Sequence, residues 1–184
     1  MKSIKYLALA FTLFLSAAAF AQKKLATTIG DAKMDASKNI MQNLEASSEF
    51  SSMGKVFANG DLKEYLSEAG PYTILAPTNA ALNSNTKEKL TDLLNPNKVI
   101  HTKHVAAYHI IHGKWYASDF GKLVRAKGTP SIKTVDGDVL IVSWENRNFY
   151  LTDKNGNKAK LIITDAVQSN GILHGIDNVF SPNK

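Results

Sequence analysis

The 184 residues contain no cysteine. That excludes a disulfide, a thiolate nucleophile and any Cys-based metal site. It also leaves no thiol to carry a bacterial lipid anchor. Catalytic signatures are missing as well: there is no Gly-x-Ser-x-Gly elbow, no His-Glu-x-x-His and no Gly-x-Gly-x-x-Gly. Ser, His and Asp are all present, but no spacing singles out a triad. No catalytic residue and no cofactor is therefore assigned. After residue 21 no stretch is long or apolar enough to cross roughly 30 Å of hydrocarbon as a helix.

What is present begins with a processing signal. Residues 1–21 open on Lys2 and Lys5, continue through an apolar run, and end in small residues with Ala19-x-Ala21 before Gln22. This reads as a secretory signal peptide cut after Ala21. With Lys2 and Lys5 gone, the formal charge falls from +6 to +4. So mild a surplus suits an anionic glycan or a membrane surface, not a nucleic-acid groove. About 160 residues are enough for one cored domain. Residues 22–38 hold few large apolar side chains and read as a flexible leader; residues 39–182 read as the domain.

The first half of that domain has helical spacing. Ile40 and Leu44, then Met53, Val56 and Phe57, predict two short helices, with Ser37 able to cap the first. Residues 61–69 predict a third, ended by Gly70-Pro71. Residues 72–76 are β-rich and Pro77 ends them. Helices follow over residues 87–94 and 97–108, then a strand around residues 114–116. The last third changes period. Short β-rich runs at 131–134, 138–143, 148–152 and 160–164 are separated by Asp136-Gly137 and Asn155-Gly156, and Asn170-Gly171 adds a third turn. Helices first and antiparallel strands second argue for an α+β domain.

Three motifs go beyond pattern. One is Tyr72-Thr73-Ile74-Leu75-Ala76-Pro77-Thr78-Asn79-Ala80-Ala81-Leu82. Another is Asn170-Gly171-Ile172-Leu173-His174-Gly175-Ile176-Asp177-Asn178-Val179-Phe180-Ser181-Pro182. Tyr108-His109 lies between them. In this order and at these separations the chain resembles the fasciclin domain over about residues 39–182. Leu75 and Leu82 stand where that family has Phe, and Phe180 where it has Leu. These are apolar swaps that a core accepts.

The resemblance implies a wedge or sandwich of short antiparallel strands with helices packed at its N-terminal half. It also implies a secreted, non-enzymatic module for adhesion to a surface or matrix protein or an anionic glycan, outside the cytoplasm in a periplasm or the extracellular space. By the same resemblance Tyr108 and His109 are candidate binding residues, or equally a core plug. Asp165 is a third candidate, although the Ile that follows it in the family's integrin-type motif is Ala166 here. Pro77, Thr78, Asn79, Asn170, Gly171, His174 and Asp177 are motif residues with structural roles. Asp177, among apolar neighbours, is expected to be hydrogen-bonded if buried.

The five histidines suggest an alternative, a periplasmic small-ligand or metal-binding protein. His101 and His104 share a helix face at i, i+3, but two ligands do not make a zinc site, so no metal is assigned. Trp115 with Tyr116, and Trp144, are candidate sugar-stacking or interface residues. Lys122, Arg125, Lys127 and Lys133, and separately Lys154, Lys158 and Lys160, could form a patch for anionic polysaccharide if the fold gathers them.

Overall fold

The computed structural model describes residues 26–29, 32–68 and 70–182. The signal peptide lies outside the described residues. The segment read as a leader is paired over its described part: β1 (Ala26–Ile29) and β2 (Ala32–Asp35) form an antiparallel hairpin. Met34 is fully buried in the domain's core. The tie is polar and long-range, which periodicity cannot reveal. Asn43 accepts from Asp35 N at 2.8 Å and donates to Asp35 O at 2.9 Å and to Gln168 Oε1 at 2.8 Å.

Helices then follow in close succession. α1 (Ile40–Ala46) is capped by Asn39, not Ser37. Gln42 N donates to Asn39 Oδ1 and Asn39 N donates to Gln42 Oε1, a reciprocal box that satisfies two orphan amides. Ser37 turns instead to Asp35. α2 (Ser51–Asn59) ends at Gly60, and α3 (Lys63–Ser67) buries Leu66. After β3 (Tyr72–Pro77) come α4 (Asn79–Ser84), α5 (Leu90–Leu93) and α6 (Val99–Tyr108).

The expected strand at residues 114–116 is displaced. The pairing residues are β4 (Ile110–His112), and a further helix, α7 (Ala117–Arg125), comes next. Its residues Phe120, Leu123 and Val124 hold the same i, i+3, i+4 spacing as Met53, Val56 and Phe57 in α2, so a helical signal is present that the pattern reading above leaves unassigned. The rest of the chain is β5 (Ser131–Lys133), β6 (Val139–Glu145), β7 (Asn148–Thr152), β8 (Lys158–Gln168) and β9 (Gly171–Ile176).

Strands β3 to β9 form one sheet in the order β4-β3-β9-β8-β7-β6-β5. Its pairs are antiparallel except one. β3 and β9, drawn from the two motifs, run parallel from Tyr72↔Gly171 to Pro77↔Ile176. The two end strands also meet, through a bridge between Ile111 and Thr134 and a 2.8 Å bond from Val135 N to Ile110 O. The sheet therefore curls on itself and has two distinct faces to fill.

Each face has its own core. Helices α1–α6 cover one face around Ile40, Leu44, Phe57, Leu66, Ile74 and Leu173. The inside of the curl holds Tyr108, Phe120, Leu140, Leu151, Ile176 and Phe180. Neighbours Ile74 and Leu75 enter opposite cores, as strand alternation dictates. β3 and β9 are buried along their whole length, the usual setting of parallel strands.

Two turns depart from the pattern. β6 and β7 are joined by Asn146 and Arg147, both at positive φ (47° and 64°), as a two-residue hairpin turn needs. Gly171, in the third expected turn, does not have the positive φ that Gly137 and Gly156 adopt. Its constraint is space: a Cβ there would stand 2.2 Å from Tyr72 O and 2.9 Å from Ile40 Cδ1. We therefore expect Gly171→Ala to part β3 from β9 and to lower stability by about 3 kcal/mol. Urea denaturation reads this directly; an unchanged midpoint would mean that the ladder shifts freely.

Candidate functional site

The motif residues converge where β3, β9 and the end of α6 meet. Thr78 caps α4, its Oγ1 accepting from Ala81 N at 3.0 Å. Asn79 reaches out of its own helix: its Oδ1 accepts from Ser52 N at 2.9 Å and its Nδ2 donates to Ser48 O at 2.8 Å. It thereby satisfies an amide in the first turn of α2, whose own cap, Phe50, offers no side-chain acceptor. Asn170 serves three partners. Its Oδ1 accepts from Ile40 N at 3.0 Å, and its Nδ2 donates to Leu66 O at 2.8 Å and Glu68 O at 2.7 Å. One buried amide thus ties the start of α1 and the end of α3 to the β8–β9 turn.

Tyr108 and His109 are both fully buried, so neither side chain presents a surface in this conformation. His109 Nδ1–H donates to Val105 O at 2.8 Å, and its Nε2 accepts from Phe180 N at 3.1 Å. Since a carbonyl only accepts and an amide only donates, this ring is neutral with its proton on Nδ1. Burial drives its pKa down to about 4, against smaller upward pulls from the Val105 carbonyl, Glu88 and Asp153. The Phe180 ring lies 5.3 Å from His109 and meets Tyr108 edge-on at 6.0 Å. The pair clamps the C-terminal segment against the end of α6. The Tyr108 hydroxyl is buried and lies near the Lys154 amide at a geometry too poor for a hydrogen bond. Burial first, then the carboxylates Asp153, Asp138 and Asp136, push this phenol up to about 12.

Asp165 and His174 form a second joint. Asp165 sits in the irregular stretch of β8 where register shifts between Ile163 and Ala166, at φ 62°. This bulge turns its amide onto His174 Nδ1 at 3.2 Å and its Oδ1 onto Ala117 N, at the start of α7, at 2.8 Å. His174 Nε2–H donates to Trp115 O at 2.7 Å, so this ring is the opposite tautomer from His109. Burial lowers its pKa first, against the Trp115 carbonyl and Asp165. Ala166, where the family's motif has Ile, is buried in the helical-side core. Asp177 is exposed rather than buried, because the chain leaves the sheet there. It is still bonded, its Oδ1 accepting from Lys160 N at 2.8 Å.

The surface histidines do not converge. His101 Nε2 meets Glu88 at 2.8 Å, while His104 Nδ1 meets Asp136 at 2.6 Å. No group of three or more potential metal ligands gathers among the described residues. Glu88, which nothing in its polar run Lys87-Glu88-Lys89 singled out, is a buried acid that also accepts from Ser181 Oγ. Ser, Glu and His thus stand in line with the acid in the middle. The hydroxyl faces a carboxylate, not an imidazole that could take its proton, which is not a nucleophile's arrangement. Asp153, also missed, is buried and accepts from Asn155 N, Asn157 N and Asn157 Nδ2, shaping the β7–β8 turn.

The fasciclin domain description matches residues 48–182. Protein sll1483 of Synechocystis is 31% identical over 160 residues, covering 84% of this chain and 79% of that protein. Periostin of Homo sapiens is 25% identical over 147 residues, 80% of this chain but 16% of periostin. The transforming growth factor-beta-induced protein ig-h3 of Sus scrofa is 29% identical over 78% of this chain and 19% of its own length. Among solved structures, a FAS1 domain pair from the insect cell adhesion molecule Fasciclin I superposes with a TM-score of 0.70. Its identity is 17%, and the match covers 79% of this chain and 51% of that one. This likeness shows the fold.

His109 has a consequence in acid. An unfolded chain protonates it near pH 6.5, whereas the folded chain resists until about pH 4. Its contribution is complete above about pH 6.5 and falls as pH drops, by about 2 kcal/mol at pH 5 and about 3 kcal/mol at pH 4. His174 acts in the same direction. Melting of wild type and His109→Gln at pH 7 and pH 5 should show a smaller acid loss in the variant, which cannot charge. Parallel losses would place the acid sensitivity elsewhere.

Proposed function

This chain belongs to the fasciclin domain family, and on that footing we propose that it is an exported, non-enzymatic binding module. It associates with a cell-surface or matrix protein or an anionic glycan, in a periplasm or outside the cell. The observation that carries the reading is the family match itself, together with a solved relative in fold that is described as a cell adhesion molecule. The motif residues support it from another side. Tyr108, His109, Asn170 and His174 are all buried and occupied in joining elements, which leaves recognition to the surface they hold in place. Asp165, half-buried and bonded to Ala117 and His174, belongs with them as a joint. No helix among the described residues is long and apolar enough to cross a membrane.

The experiment is sedimentation of the labelled chain with washed cell envelopes and with a matrix preparation. Retention that unlabelled protein competes away, and that an unrelated basic domain of equal charge does not show, is the expected result. Retention no greater than that of the control domain overturns the reading.

A further inference from the structure

Of the two tryptophans, only Trp144 is set on the surface. Trp115 is half-buried, stacked on Phe120 at 6.1 Å, and its carbonyl is taken by His174. Trp144 is 51% exposed. It occupies the inner side of β6 beyond Leu140 and Val142, just where the curl's core runs out, and it leans on Phe149 with ring centroids 4.4 Å apart. Across from it runs α7, which packs on β6. Between them is a cleft of about 310 Å³ lined by Gly121, Val124, Arg125, Trp144 and Phe149. That is at the small end of ligand sites and fits one ring-sized group.

The lining is built for a particular chemistry. Gly121 lies on the floor between the two: a point one Cβ out from its backbone is 3.4 Å from Arg125 Nη1 and 3.6 Å from Phe149 Cζ, which places the guanidinium and the ring on either side of it. Arg125 has no ion pair among the described residues, whereas Lys122, Lys154 and Lys158 are held by Asp119, Asp138 and Glu145. No acid lines the cleft. Glu145, next to Trp144, belongs by alternation to the other face of β6, where Lys158 and Ser143 hold it. The result is an uncompensated guanidinium beside two aromatic rings. A guanidinium matches a planar carboxylate with two parallel N–H···O bonds. A half-exposed indole offers an apolar face to the C–H side of a sugar ring. The chain's net positive charge would draw polyanions toward it.

We propose that this cleft binds a hexuronate unit of an acidic polysaccharide, the carboxylate on Arg125 and the ring against Trp144. The assignment rests on the adhesion reading and names the class of glycan that the module would hold. The basic residues split accordingly. Arg125 is the recognition cation, while the lysines paired across β6 to β8 belong to the solvated face of the sheet.

The test is calorimetric titration of the purified chain with oligogalacturonate, against a neutral glucan oligomer of equal length. Oligogalacturonate is expected to bind and the glucan not to. Arg125→Gln and Trp144→Ala should each weaken binding by about tenfold or more. The melting temperature should stay unchanged in Arg125→Gln, whose side chain is exposed, and fall modestly in Trp144→Ala, which also loses its packing on Phe149, with binding compared at a temperature where both variants are folded. Lys133→Gln, an equal loss of charge on β5, should change binding less than about twofold. Equal binding of the two oligomers, or equal loss in Lys133→Gln and Arg125→Gln, overturns the assignment. Envelope sedimentation separates the two readings. A chain that sediments normally but ignores oligogalacturonate refutes the cleft and leaves adhesion standing. A chain that binds oligogalacturonate through Arg125 yet does not sediment does the reverse.

Discussion

The parallel pairing of β3 with β9 is the constraint on which the rest depends. The two strands come from motifs about a hundred residues apart, and both are buried on both faces. A strand with no solvent face must have its ladder complete, because an unpaired backbone group there is costly. It must also carry apolar side chains on alternating sides for two separate cores. Ile74 and Leu173 serve one core, and Leu75 and Ile176 the other. The close approach at Gly171 sets where the pairing begins, and the Thr78–Asn79 corner sets where it stops.

Around this pair the buried polar groups act as joints. Asn170 and Asn79 each satisfy helix-end amides or carbonyls of elements far away in sequence. His109 and His174 each link two backbone groups through a neutral ring, with opposite tautomers dictated by which neighbour donates. A neutral imidazole suits such a place because it offers one donor and one acceptor without a charge to desolvate. The same feature makes the fold sensitive to acid. On the proposed function, recognition falls to surfaces that the joints support, such as the cleft between α7 and the β6–β7 hairpin. There Arg125 and Trp144 are available because the core beneath them is complete.

Much of this was legible from residue order. Helical spacing located α1, α2, α3 and α6, and alternation located β5 to β7 to within about two residues and the first half of β8, which runs on four residues further to Gln168. Asp136-Gly137 and Asn155-Gly156 marked two of the turns. The resemblance carried by the motifs identified the family; of its motif residues, Thr78 caps α4 and Asn170 bonds to α1 and to the end of α3. Other features were hidden for physical reasons. The start of α7 is set by Asp165, a residue of the sheet, which satisfies its first amide. The hairpin of β1 and β2 is tied in by Asn43, whose partners come from β2 and β8. Glu88 and Asp153 lie in polar runs that give no hint of burial.

By itself, the sequence determined that helices precede antiparallel strands, where α1–α3, α6 and β5–β7 lie and where two of the turns fall, because these follow from side-chain periodicity and local backbone preference, and its motifs determined the family. Only the tertiary structure decided that β3 and β9 run parallel, that Tyr108 and His109 are interior and Asp177 exterior, and that Arg125 stands beside Trp144 with no ion pair among the described residues. Those outcomes depend on which distant groups meet, and on whether water or protein occupies the space between them. No local pattern along the chain carries that information.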